Sequence, residues 1–257
     1  MRELIEVMAR LRDPNDGCPW DLEQDHHSLR KNMIEEAYEA VDAIERNDVA
    51  GLREELGDCL LQIVFHAQIA REAGEFDIDE VAAGIVAKLK HRHPHIFGDA
   101  EVHSADEVLG RWEQLKAQER GEAGLLDSIP SALPALLEAQ KLSRRAVSVG
   151  FEWETMEDVW AKVHEEIDEL LATDPGTPEA ADELGDVIFT LVNVARKMGI
   201  DAETALRGTN TKFRSRFGHM ERGLAEAETP LGTVGIDVLE AAWQRAKADE
   251  HAGDQDS

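Results

Sequence analysis

The stretch Lys162–Asn193, KVHEEIDELLATDPGTPEAADELGDVIFTLVN, holds two acidic clusters, Glu165-Glu166-x-x-Glu169 and Glu183-x-x-Asp186. A short break containing Asp174, Pro175 and Gly176 separates them. Residues three or four apart share one face of a helix, so Glu166 projects with Glu169, and Glu183 with Asp186. Folded back as an antiparallel hairpin, the two helices bring four carboxylates together. That much like charge is costly unless a cation neutralises it.

The apolar periodicity locates these strips. On the first helix Trp160, Val163, Ile167, Leu170 and Leu171 form the stripe expected to be buried, with Lys162, Glu166 and Glu169 on its flank. On the second, Leu184, Val187, Ile188, Leu191 and Val194 form the stripe, and Glu183, Asp186, Thr190 and Asn193 the adjoining polar edge. Both strips lie at the rim of a core, where a cleft opens.

Working outward, the pattern recurs. EEAYE at Glu35–Glu39 answers EEIDE, and EELGD at Glu54–Asp58 answers DELGD. Trp20 answers Trp153, Lys90-x-Arg92 answers Lys212-x-Arg214, and Trp112 answers Trp243. This is an internal duplication of about 120–130 residues. It divides the 257 residues into an N-terminal repeat over 1–120, a linker over 121–134 and a C-terminal repeat over 135–250, with a disordered tail at 251–257. Ala, Leu and Glu are abundant and no run alternates with period two, so the fold class is all-α, two tandem helical-bundle halves.

Net charge excludes several functions. With 27 basic against 54 acidic residues the formal charge is −27, a field that repels nucleic acid and anionic membranes. The longest apolar runs, Cys59–Ala70 and Val187–Ala195, fall short of the roughly 20 residues that span a bilayer. Cys18 and Cys59 fit no metal or redox spacing and read as reduced thiols in a cytoplasmic protein.

One acidic pair is ordinary solvated surface. Two pairs on successive helices, repeated in both halves, ask for a ligand, and an all-oxygen set suits Mg²⁺ or Mn²⁺ rather than Zn²⁺. A di-iron bundle would need Glu-x-x-His motifs, which these clusters lack. A carboxylate-held Mg²⁺ commonly meets substrate phosphates. Lys212, Arg214 and Arg216 put three positive charges into five residues of a very acidic chain, a suitable phosphate clamp. Trp243 offers an indole that can stack on a base.

EExxE followed by ExxD, twice, with KFxxRF and a late Trp, resembles the MazG family of nucleoside triphosphate pyrophosphohydrolases. CPWD at Cys18–Asp21 and HRHPHIFGD at His91–Asp99 extend the likeness over nearly the whole chain. The resemblance implies an all-α homodimer that hydrolyses nucleoside triphosphates to monophosphate and pyrophosphate with Mg²⁺, for broad nucleotide-pool housekeeping. Carried over by motif, Glu166, Glu169, Glu183 and Asp186 are metal ligands, and Lys162, Asn193, Lys212, Arg214, Arg216 and Trp243 contact the nucleotide. Glu165 and Glu166 would serve catalysis, Glu165 as general base or second-metal ligand, with Lys212 neutralising charge on the departing pyrophosphate.

Aligned on their acidic motifs, the halves differ in the non-acidic company. Lys162 corresponds to Asn32, Asn193 to Phe65 and Arg216 to Pro94. The C-terminal half is therefore expected to carry the main activity, while Glu36, Glu39, Glu55 and Asp58 form a second, weaker cation site. The competing readings are a narrower dUTP- or dCTP-directed pyrophosphatase, and a module that binds nucleotide without hydrolysis.

Overall fold

Every regular element among the described residues is an α-helix, as the abundance of Ala, Leu and Glu favours. The computed structural model describes residues 1–98, 104, 107–108, 124–229 and 231–253, with side chains through residue 250. The chain divides into two compact units, Met1–Glu119 and Arg120–Ser257. Trp112, the expected counterpart of Trp243, lies outside the described residues. The expected tail from residue 251 begins instead as helix as far as Gly253, and residues 254–257 lie outside the described set.

The first unit contains α1 (Arg2–Leu11), α2 (Pro19–Glu23), α3 (His26–Glu45), α4 (Val49–Ala73), α5 (Ile78–Arg92) and α6 (Pro94–Phe97). Asp25 and Ser28 close a capping box at the start of α3, and Asp48 accepts from the Gly51 amide at the start of α4. These acceptors satisfy amides that the first turn leaves unpaired. α3 and α4 pack against each other, with Met8, Leu29, Val64 and Phe65 buried at the core. The buried Arg12 guanidinium donates to Glu72 and to the carbonyls of Asp21 and Gln24, fastening the end of α1 to α2 and α4. Removing Glu72 would leave the guanidinium only its two carbonyl partners, a loss of about 1–3 kcal/mol.

The second unit contains α7 (Ala135–Val147), α8 (Met156–Ala172), α9 (Pro178–Lys197), α10 (Ala202–Glu226) and α11 (Ile236–Gly253). Thr155 and Asp158 form the capping box of α8. Between α8 and α9, Gly176 has φ +82°, a left-handed conformation that costs any other residue about 1 kcal/mol. Thr177 then caps α9 and Pro178 occupies its first turn, where a missing amide proton does no harm. The chain therefore folds back and α8 packs on α9 around Val159, Val163 and Val194, each buried valine contributing about 1.5 kcal/mol or more. α7 lies against α9 and α10, and α10 against α11, where Met220, Leu224 and Ala242 form a second core.

Three of the five residues in each expected apolar stripe are exposed. Val163, Val187 and Val194 are inside, but Trp160, Ile167 and Leu171 on α8 and Leu184, Ile188 and Leu191 on α9 stay exposed. The stripes are wider than one packed partner covers, so the hairpin consumes one side and presents the other.

Candidate metal centre

Glu166 on α8 and Glu183 and Asp186 on α9 each place a carboxylate oxygen within 4.8 Å of the other two. The return at Gly176 and the i,i+3 spacing on α9 produce this convergence. Glu166 is the inner member, only 6% exposed. Glu169 lies one turn further along α8 and is exposed, and desolvation and then the charges of Glu166 and Glu183 raise its carboxyl above the ordinary value. Opposed oxygens in an octahedral Mg²⁺ shell lie roughly 4 Å apart, so small side-chain adjustments convert this cluster into a ligand set. The chemistry of the donors, all carboxylate, fits a hard divalent cation.

Lys162 stands over the inner edge. Its Nζ is 2.8 Å from Oε1 of Glu165 and 2.8 Å from Oε1 of Glu166. The hydrogen bond to Glu165, and then that to Glu166, raise its pKa above lysine's ordinary value.

In the first unit Glu36 and Glu39 of α3 and Glu55 of α4 make a cluster of their own, again within 4.8 Å, with Glu39 where the second unit's cluster has Asp186 rather than Glu169. Burial, then Asp58, Glu39 and Glu35, push the Glu36 carboxyl up. Burial and Glu39, by charge and by hydrogen bond, do the same for Glu55. The nearby Cys59 thiol is also raised, by burial and then by Glu36, Glu55 and Asp58. Asn32, in the place of Lys162, brings no positive charge.

The basic and aromatic candidates sit on α10 and α11. Lys212 and Arg214 are exposed. Arg216 is engaged, its Nε donating to Glu250 at 2.6 Å. Trp243 packs on the Met220–Leu224–Ala242 core and meets the Phe213 ring at 5.3 Å between centroids, and Phe213 in turn stacks on Phe217. The indole is thus partly core, with a neighbouring phenyl ring more exposed than itself.

Asn193, expected to contact the nucleotide, is held by protein partners. It is 2% exposed, Nδ2 donates to the Phe189 carbonyl at 3.0 Å, and Oδ1 accepts from Ser143 Oγ. α7 packs on α9 there, and Thr190 of the same polar strip is buried as well. Ser143, Arg196 and Glu152 were invisible as partners in the sequence. Arg196 donates to Ser143 Oγ at 2.7 Å and to Glu152 Oε1 at 2.8 Å, anchoring the α7–α8 loop to the helix that carries Glu183 and Asp186. No local spacing signals contacts made 44 and 53 positions apart.

Residues 24–97 match the family model described as the MazG nucleotide pyrophosphohydrolase domain, and residues 132–212 match that for phosphoribosyl-ATP pyrophosphohydrolase. The chain is 45% identical over 254 residues to a nucleoside triphosphate pyrophosphohydrolase of Escherichia coli (strain K12), covering 96% of this chain and 97% of the relative. It is 42% identical over 248 residues to the Thermotoga maritima nucleoside triphosphate pyrophosphohydrolase/pyrophosphatase MazG, covering 95% and 94%. A nucleoside triphosphate pyrophosphohydrolase of Mycobacterium tuberculosis is 31% identical over 263 residues, covering 97% of this chain and 71% of its own.

Proposed function

The chain belongs to the MazG family of nucleoside triphosphate pyrophosphohydrolases, and from that premise we propose that it cleaves nucleoside triphosphates to monophosphate and pyrophosphate at the α8–α9 cluster, with Mg²⁺, or Mn²⁺ in its place, as cofactor. The observation that carries this reading is the convergence of Glu166, Glu183 and Asp186 from two helices. Those three, with Glu169, would hold the cation. A bound divalent ion supplies neutralisation of triphosphate oxygens and a polarised water.

The chain's own residues supply the rest. Glu165, exposed beside the buried Glu166, accepts a proton from the attacking water. Lys162 and Lys212 bring ammonium groups to the phosphates, and Arg214 and Arg216 a forked guanidinium each. Trp243, with Phe213 against it, gives the base an aromatic wall. Specificity built on stacking discriminates bases weakly, which suits a broad substrate range and a housekeeping role in the cytoplasm. The Glu36–Glu39–Glu55–Asp58 cluster is a second cation site, weaker toward the metal–triphosphate complex because it lacks the phosphate-binding equivalents of Lys162 and Arg216.

A second copy of the chain covers the exposed apolar faces. Leu136, Ile188, Leu191 and Leu206 line a groove of about 500 Å³ between α7, α9 and α10, adjoining the exposed half-stripe of α9. An exposed apolar face continuous with an apolar groove commonly marks an interface. No described helix is long and apolar enough to cross a membrane.

Product identification tests the activity. Purified protein with Mg²⁺ and each common triphosphate should release monophosphate and pyrophosphate. Release of diphosphate and phosphate, or no turnover of any triphosphate, would contradict the proposal.

A further inference from the structure

Resting on the cation-binding reading above, we infer that Lys162 is the internal counter-cation of the α8–α9 cluster. It occupies Glu166 in the metal-free protein and gives that carboxylate up when a divalent cation binds. The basis is geometric. Nζ lies 2.8 Å from Glu166 Oε1, and the Glu166 side chain is only 8% exposed. Glu166 also offers an oxygen to the set it forms with Glu183 and Asp186. The ammonium is therefore held against the innermost member of the cluster rather than against solvent.

Helix stabilisation alone does not account for the placement. An i,i+4 pair is more favourable with Glu N-terminal to Lys, and here the order is reversed. What the position does provide is a compact positive charge at a buried carboxylate that would otherwise face two more carboxylates unpaired. A divalent cation approaching Glu166 meets a cation already there, and the two repel. Lys162 still keeps Glu165, 2.8 Å away and exposed, so on release it remains beside the cluster. Its freed donor is then available to an anionic phosphate oxygen. In the first unit, Asn32 stands four residues before Glu36, as Lys162 stands four before Glu166. The two clusters thus differ by one built-in charge.

The test is titration of the full chain with Mn²⁺ alone, without nucleotide, following free Mn²⁺ by electron paramagnetic resonance. Wild type is compared with Lys162→Met and Asn32→Lys. Lys162→Met should tighten one class of sites by about tenfold, the size of effect that one charge at hydrogen-bond distance has on proton affinity, and Asn32→Lys should weaken the other class similarly. If wild type binds Mn²⁺ and Lys162→Met binds it no tighter, this inference is overturned and the cation-binding reading stands. If wild type binds no Mn²⁺ at all, both fall. Should Lys162→Met fail to fold, the Lys162 ammonium resonance of the wild type, assigned by its loss in Lys162→Arg, decides the matter. A shift on adding Mg²⁺ supports displacement, and an unchanged signal overturns it.

Discussion

Ser143 donates its hydroxyl to Oδ1 of Asn193, joining α7 to α9 inside the second unit. This makes Asn193 a brace of the helix that carries Glu183 and Asp186. Asn193→Ala should cost about 1–3 kcal/mol of stability, because it leaves the Ser143 and Phe189 groups short of a partner. Urea denaturation measures the loss, and the KM of the folded variant for nucleoside triphosphate should stay at the wild-type value. Wild-type stability with a raised KM would return Asn193 to the nucleotide.

Glu152 gives a pH signature. The hydrogen bond from Arg196 outweighs burial and holds its carboxyl below the usual carboxylate range. A depressed folded value stabilises the protein above the ordinary range, and the contribution is lost as pH falls through the folded value. Glu152→Gln should therefore lose about 2 kcal/mol near pH 7, with the gap to wild type closing below about pH 4. Thermal unfolding at several pH values checks this, and a gap that persists into acid would contradict the ion pair.

The basic residues of α10 should divide by their partners. Lys212 and Arg214 are exposed, so Lys212→Ala should lower kcat/KM by on the order of 10²-fold while leaving Tm in place. Arg216 is tied to Glu250. Arg216→Ala should therefore lower both kcat/KM and Tm, measured by steady-state kinetics beside differential scanning calorimetry. Equal effects on Tm for Lys212 and Arg216 would count against the division.

What the sequence made legible followed from local spacing. Glu183 and Asp186 share a face because i and i+3 must, and the break at Asp174, Pro175 and Gly176 marked where the two helices fold back. The helical class and the convergence of α8 with α9 needed nothing more. The burial of Asn193 was not legible, because a polar strip read along one helix cannot report the helix that crosses it, and Ser143 of α7 meets Asn193 from 50 positions away. The exposed side of the α9 stripe was misread for the same reason: periodicity gives an apolar face its direction but not what covers it.

That face leads to a prediction on assembly. Leu191→Asp sets a charge on the exposed stripe of α9 and should convert a dimer to monomer in sedimentation velocity, with helicity retained. A monomeric wild type at micromolar concentration would remove the proposed interface.

The α8–α9 cluster, not its N-terminal counterpart, is proposed here to perform hydrolysis. Glu183→Gln and Glu55→Gln make the same chemical change at corresponding places, each removing one charge from one cluster. Initial rates of pyrophosphate release with Mg²⁺ and nucleoside triphosphate measure both variants side by side. Glu183→Gln should lose on the order of 10²-fold or more in kcat, while Glu55→Gln keeps most of the wild-type rate. Loss of turnover in Glu55→Gln with turnover retained in Glu183→Gln would place the chemistry in the other half.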